Sequence, residues 1–538
     1  MMGFRFLLIC LTALSLSWPA RLQAESIEVS GTVSGVWAVD TVKVTGNIEL
    51  RGVDSLRISP GVCVSFQGAY YFKVLGSLRA IGSSSRPVVF TIDDTTGFGN
   101  PVVPDGGWKQ IRIENQGKTI DSVIFDYCHF KYGKAVDADS IHGYGGALCI
   151  RNSDNIDVRQ CTFSNNYAYF SGGAIYLEHA SIKVSNNRFE NNSCGQAAIY
   201  YGYGGALCSD WGSSLISQNY FAENSSTGIG GGLCVRFHDN KVLHNTFDNN
   251  FSALGGGMGM LHIDSCEFVI SNNLVINNRA RFFGAGISNG DCSPLYVNNT
   301  IFSNHCEGGG GGFYCKDSVS PVMYNNILYG NTQYSGQSNQ VYLWDRLSQP
   351  DFYFNDIEGG TEGFDGTGAA EFTGQFQNNI DLEPEFVGQS YIPAIHSPCV
   401  NAGNPDTTGC MIPPTDLAGN YRLIDNRIDL GAYEQQQLLS IDGSHKPGIP
   451  LDQLMVWPNP AVHEINIEFN LATATSIRVF LTNHQGVVLQ EIKNGYFGSG
   501  YNHMRSVLNI GHRVSGAFLL FFQMGEVMVA YPLVLAKQ

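Results

Sequence analysis

Gly204-Gly205-Ala206-Leu207 is followed by Asn219-Tyr220-Phe221-Ala222-Glu223-Asn224, and Gly230-Gly231-Gly232-Leu233 by Asn245-Thr246-Phe247-Asp248-Asn249-Asn250. This two-part phrase recurs between Gly145 and Asn331 at intervals of roughly 27 residues. Its glycine halves begin at Gly145, Gly172, Gly204, Gly230, Gly255, Gly284 and Gly310. Its asparagine halves begin at Asn187, Asn219, Asn245, Asn273, Asn299 and Asn326, with Cys161 in the leading place of the first copy. A fixed period of this size means stacked supersecondary units, none of which buries its apolar face alone.

Each repeat holds apolar runs of strand length, too close together for a crossover helix. Strands that recur in this way pair with their counterparts one turn later, and the connection is right-handed. Leu148, Ile175, Leu207, Leu233, Met258, Ile287 and Phe313 are expected to stack as one inward column. Phe163, Phe189, Phe221, Phe247, Val275, Ile301 and Leu328 form a second. The glycines supply positive φ and close backbone approach. The asparagines are expected to take left-handed corners and to hydrogen-bond up their own column.

The remaining chain is read outward from this block. Residues 26–90 alternate apolar and polar, as in Val62-Cys63-Val64-Ser65-Phe66, with no helical period. Arg5 followed by the apolar run Phe6–Leu16 and the small residue Ala24 reads as a signal peptide. After it no apolar run is long enough to span a membrane. The aromatic fraction of 12% is ample for a core and excludes a disordered chain. The net charge of −16 argues against nucleic acid and against unaided binding of acidic polymers. Cys399 and Cys410 bracket a loop and make the best local disulfide. Cys208 and Cys234 share one repeat position, as a second disulfide or as a ladder of half-buried thiols.

Ile58-Ser59-Pro60-Gly61-Val62-Cys63-Val64 and Val74-Leu75-Gly76-Ser77-Leu78 resemble the opening coils of secreted, pectate-lyase-like β-helix proteins. Asp416-Leu417-Ala418-Gly419-Asn420-Tyr421-Arg422 and Ile428-Asp429-Leu430-Gly431-Ala432-Tyr433-Glu434 are similar to the closing segment of a bacterial surface β-helix family. Capping of the open solenoid end would be its physical task. The last segment alternates with period two, as in Ile465-Asn466-Ile467-Glu468-Phe469. It resembles the C-terminal sorting domain of the type IX secretion system of Bacteroidetes. The matching residues are Pro458, Asn459 and Pro460 after Trp457, Gly486, Gly516 and the closing Lys537. That resemblance implies passage to the outer-membrane surface or the medium through the type IX machinery. The expected class is therefore all-β, a right-handed parallel β-helix (solenoid) followed by a small C-terminal antiparallel β-sandwich. The expected order is signal peptide 1–24, β-helix 25–435 with its cap at about 380–435, linker 436–452 and sorting domain 453–538.

Two stripes vary between copies and carry the functional expectations. The turn inside each repeat holds Asp154, Glu178, His179, Asp210, His238, Asp239, His262, Asp264, Asp291 and Asp317. Stacked carboxylates 5–10 Å apart would suit glycoside hydrolysis, and among these residues Asp210, His238, Asp239, His262 and Asp264 are the catalytic candidates. Such a row would also suit Ca²⁺, the one cofactor the sequence suggests, while Asp as a favoured turn residue is the bland reading. Asp137, Asp139 and His142 form a second metal-like group. The loops ahead of the glycine pairs hold Tyr167, Tyr169, Tyr200, Tyr201, Tyr203 and Phe282, which would stack on sugar rings of a polysaccharide or surface glycan. Packing of these rings over the coil is the alternative. The leading function is glycan or surface binding. A polysaccharide lyase or glycoside hydrolase is the competing class, and a passive structural repeat the third.

Overall fold

The computed structural model describes residues 25–535, apart from 115–121, 138–141, 197–201, 239, 264–267, 335, 407, 409–410, 425–426, 436–450, 458–460, 462, 472, 483–487, 509–515 and 526. The chain divides into two compact units between Gln435 and Gln436. The signal-peptide reading, Tyr200, Tyr201, Asp139, Asp239, Asp264, Cys410, Pro458, Asn459, Pro460, Gly486 and Lys537 lie outside the described residues.

The first unit is a right-handed parallel β-helix. A representative coil has four short strands, Leu148–Arg151, Ile156–Arg159, Thr162–Ser164 and Tyr167–Ala168. Each pairs in parallel with its counterpart one coil later, as Leu148 with Ile175, Val158 with Val184, Phe163 with Phe189 and Ala168 with Cys194. The stack begins where Ser26–Thr32 pairs with Thr41–Leu50. It ends where Tyr353 pairs with Gln377 and Asp356 with Ile380.

The strands are short because a left-handed residue breaks the chain at every corner. In one coil the corners are His179, Asn186, Asn191 and Gly204, and in the next Trp211, Gln218, Glu223 and Gly230, all at φ between 50° and 74°. Three corners accept many residue types, yet the fourth is glycine in all seven repeats. Positive φ alone does not explain this. A Cβ at Gly172, Gly204 or Gly230 would overlap the carbonyl oxygen three residues ahead, at Ile175, Leu207 or Leu233. The asparagine columns are corrected in the same way. The left-handed residue is the one before each ladder asparagine, such as Gln218 or Glu223, and not Asn219 or Asn224.

The ladder asparagines are kept for their amides. Asn250 donates from Nδ2 to Asn278 Oδ1 at 2.9 Å and to the Phe221 carbonyl at 2.9 Å. Its own Oδ1 accepts from the backbone N–H and the amide of Asn224, each at 3.0 Å. The same pattern joins Asn166, Asn192, Asn224, Asn250, Asn278, Asn304 and Asn331 without a break. A second column runs from Asn187 to Asn379. Between them lies the core. Phe90, Phe130, Phe163, Phe189, Phe221 and Phe247 stack nearly parallel at 4.6–4.9 Å, the spacing of paired strands. Leu148, Ile175, Leu207, Leu233, Met258, Ile287 and Phe313 are fully buried beside them.

Two expectations change. The eleven described cysteines are free thiols, so Cys208 and Cys234 are register partners without a disulfide, and they are fully buried rather than half-buried. The solenoid end is closed by Phe352, Phe364, Phe372 and Phe376, packed mutually at 5.3–6.3 Å. The segment expected to cap that end lies back along the flank of the coils instead. Thr415, Asp429, Gly431 and Asn404 meet His244, Asn272, Asn298 and Asn325, the second-corner residues of four successive coils.

The second unit is an antiparallel sandwich. Leu451–Trp457, Glu464–Leu471 and Gly500–Val507 form one sheet; Val488–Phe497, Thr475–Thr482, Gly516–Met524 and Val527–Leu535 form the other. Ile465, Ile467, Phe469, Val479, Leu481, Leu520 and Phe522 fill the space between them.

Candidate functional site

The turn stripe holds the carboxylates expected to be catalytic. Asp210 ends the first strand of its coil and points outward, where the next coil supplies Arg236 in register. Arg236 Nε donates to Asp210 Oδ1 at 2.7 Å, and Nη2 donates to Oδ2. The Tyr176 hydroxyl adds a 2.9 Å bond to Oδ2. Burial lowers the Arg236 guanidinium's affinity for its proton, but the Asp210 bonds and nearby thiols more than offset this and hold it above its ordinary value. Burial and the Asp210 charge push the Tyr176 phenol up. With its carboxylate in a guanidinium fork and its side chain 3% exposed, Asp210 is set up as an ion-pair partner and not as a general base. One coil earlier Glu178 Oε2 forms an ion pair with Arg151, 2.6 Å from its Nε.

The rest of this stripe is aromatic. His179, Trp211, Phe237 and His262 occupy equivalent corners, all left-handed, and stack at 5.9, 4.1 and 5.5 Å with interplanar angles of 22°, 4° and 14°. A left-handed corner costs a bulky residue roughly 1–2 kcal/mol, which the ring contacts offset. His238 lies edge-on to Trp211 at 6.0 Å, and His262 Nδ1 is 2.7 Å from Asp291 Oδ2. Asp137 is paired with Lys109 at 2.8 Å. Among the described residues no three His, Cys, Asp or Glu converge to hold a metal ion.

The second stripe divides. Tyr203 lays its ring under the Arg236 guanidinium at 4.1 Å and packs with Tyr144 over Cys149, Tyr176, Cys208 and Cys234. Tyr169 meets Phe170 edge-on at 4.7 Å, and Phe170 stacks on Tyr144 at 5.0 Å. These rings cover the coil. Tyr167 is buried, its hydroxyl donating to the Gly195 carbonyl at 3.1 Å, and Phe282 remains 41% exposed.

Tyr167 nevertheless lines a cleft of about 610 Å³ on the outer face of the fourth strands. Ser193, Gly195, Ser225, Thr227 and Ala253 make its floor from small side chains on neighbouring coils. Phe251, 42% exposed, and Arg281 rise beside them, while Pro101 and Val102 come from a distant loop. That loop is pinned by Lys134, which is fully buried and donates from Nζ to the carbonyls of Gly97 at 3.0 Å and Asp105 at 2.8 Å. Burial holds the Lys134 ammonium below its ordinary range. The sequence signal for this cleft was incomplete: Phe251 and Arg281 stand in the variable loops, but nothing in the repeat points to Pro101, Val102 or Lys134.

A family model described as the right handed beta helix region matches residues 109–332. A curated protein, the metabotropic glutamate receptor-like protein R of Dictyostelium discoideum, is 24% identical over 191 residues, which is 35% of this chain and 11% of that protein. The chain thus spans about a tenth of that relative's length. Two crystal structures of mutants of the periplasmic alginate epimerase AlgG are also similar. The first shares 12% identity at a TM-score of 0.37, covering 65% of this chain and 79% of that one. The second, a double mutant, shares 10% identity at a TM-score of 0.26, covering 65% and 78%.

Proposed function

We propose that the chain is an exported β-helix protein that binds a glycan in the cleft over its fourth strands. The carrying observation is the cleft itself: a trough with a floor of small residues, an exposed ring at Phe251, a cation at Arg281 and a wall pinned by Lys134. Hydroxyl-bearing floor residues with an aromatic wall suit a sugar ring, which offers both C–H faces and hydroxyls. The binding reading is favoured over hydrolysis because Asp210 and Glu178 are committed to Arg236 and Arg151. Screening the mature chain on plant, algal and host glycan arrays identifies the ligand. Phe251→Ala and Ser225→Trp, the latter filling the floor, are then each expected to weaken binding at least tenfold, about 1.4 kcal/mol. Undiminished affinity in both variants would sink the cleft.

The C-terminal sandwich serves, in this reading, as a type IX sorting domain. The support is its sequence resemblance together with its separation into a unit of its own. Deleting residues 453–538 is expected to leave the β-helix in the periplasm of a type IX-competent bacterium. Immunoblotting of periplasm, outer membrane and medium reads the result, and unaltered export rejects the assignment.

A further inference from the structure

We infer that the segment returning along the coil flank is a proton-held strap, closed while its buried acid cluster keeps a proton and loosened when that proton leaves. The described residues of this strap run between Cys399 and Gln435. Four of its residues form one buried polar group. Arg422 Nη1 lies 3.2 Å from Glu434 Oε2, with both side chains 1% exposed. Asp429 and Asp416 are equally buried at 1%. Three carboxylates therefore share a single guanidinium out of water. Full ionisation would leave two uncompensated negative charges there, which a low-dielectric interior does not tolerate.

The surroundings add little positive charge. From the coils, Asn272 Oδ1 accepts from Arg422 Nη2 at 2.7 Å and is neutral. His244 donates from Nε2 to the Thr415 carbonyl at 2.9 Å, and burial followed by the Arg422 charge keeps its pKa low. Within the strap, Asp416 accepts from the backbone of Asn420 at 2.7 Å and of Glu434 at 2.9 Å. Asp429 accepts from the backbone of Asn401 and Gln435, each at 2.6 Å. Tyr433 and Arg427 belong to the same segment, and Arg427 bonds the Asn401 carbonyl instead of the cluster acids. Glu434 Oε2 accepts from the Asp429 backbone N–H at 3.1 Å, and burial pushes both of these adjoining acids up, so this pair keeps the proton. Burial, then the Asp429 charge, pushes Glu434 up to about 8, against the opposing pull of Arg422.

A second buried acid lies where the strap's first residues pack. Asp356 accepts from the Leu382 backbone at 3.2 Å and from Cys399 Sγ at 3.3 Å, while Asp381 and Glu358 add negative charge. Burial pushes it up to about 7. Both acids act with the same sign. A carboxyl whose folded value is raised stabilises the closed strap fully below its unfolded value, and that contribution is lost as pH rises through the folded value. The window is therefore about pH 4.5 to 8, and one proton shifts the open-to-closed ratio by up to tenfold per pH unit.

Hydrogen exchange by mass spectrometry on the full chain, corrected for the intrinsic pH dependence of exchange, tests this. Protection of the Leu417 and Leu430 amides, bonded within the strap, and of the Gly431 amide, bonded to the Asn325 carbonyl of a coil, is expected to fall between about pH 5 and 8, while that of coils 145–250 holds. Glu434→Gln should flatten the fall, and Asp429→Asn, which removes the charge that helps raise Glu434, should make the fall shallower and end it at lower pH. A strap whose protection does not change with pH overturns the proposal. So does an unchanged pH profile in Asp429→Asn, which stays informative should Glu434→Gln fail to close.

Discussion

Replacing Asn250 with alanine is expected to destabilise the β-helix by roughly 3–6 kcal/mol, more than truncating most core side chains. The figure comes from counting what is left unpaired. The Asn224 amide and backbone N–H lose their acceptor, and Asn278 Oδ1 and the Phe221 carbonyl lose a donor, all away from water. Each buried group stranded in this way costs about 1–3 kcal/mol, with partial relief where a second partner remains. Asn250→Asp separates the two halves of the role, since it keeps the acceptor for Asn224 but removes the donor to Asn278. Urea unfolding followed by far-UV circular dichroism reads both variants. A loss below 1 kcal/mol for alanine would show that the ladder is decorative.

The second large effect concerns Asp210. Asp210→Ala is expected to cost roughly 3–5 kcal/mol, because it leaves the partly buried Arg236 without its counter-charge. The Tyr176 hydroxyl is stranded with it. Pairing the mutation with Arg236→Met should recover much of the loss, since replacing both charges by apolar volume is often neutral. The outcome separates two roles for one residue. A structural ion pair gives a destabilised Asp210→Ala rescued by the double variant. A catalytic carboxylate gives a stable protein with no turnover on a glycan that the parent chain degrades.

The solenoid was legible because its determinants repeat. Leu207, Phe221, Asn219 and Asn224 each sit one period from chemically equal partners, so spacing alone placed them in columns. The asparagine corner was misassigned for a related reason. Asn219 and its predecessor Gln218 are adjacent, and composition favours Asn for a left-handed turn, while the structure gives that conformation to Gln218. The outward faces were harder to read. Tyr203 reads as a ring offered to solvent because its partner Arg236 lies a coil away, at a register position whose residue type changes from coil to coil. The strap was beyond reach of spacing. Arg422 meets Asn272 across 150 residues and Asn298 meets Asp429 across 131, through single hydrogen bonds that leave no periodic trace.

A coil stack is normally indifferent to its own length, since each turn answers only to its neighbours and a whole turn can be gained or lost. The flank anchors at His244, Asn272, Asn298 and Asn325 remove that freedom locally. The returning segment works as a ruler laid against four turns at once. The turns from His244 to Asn325 thus form a block of fixed number, gained or lost only with the ruler redrawn.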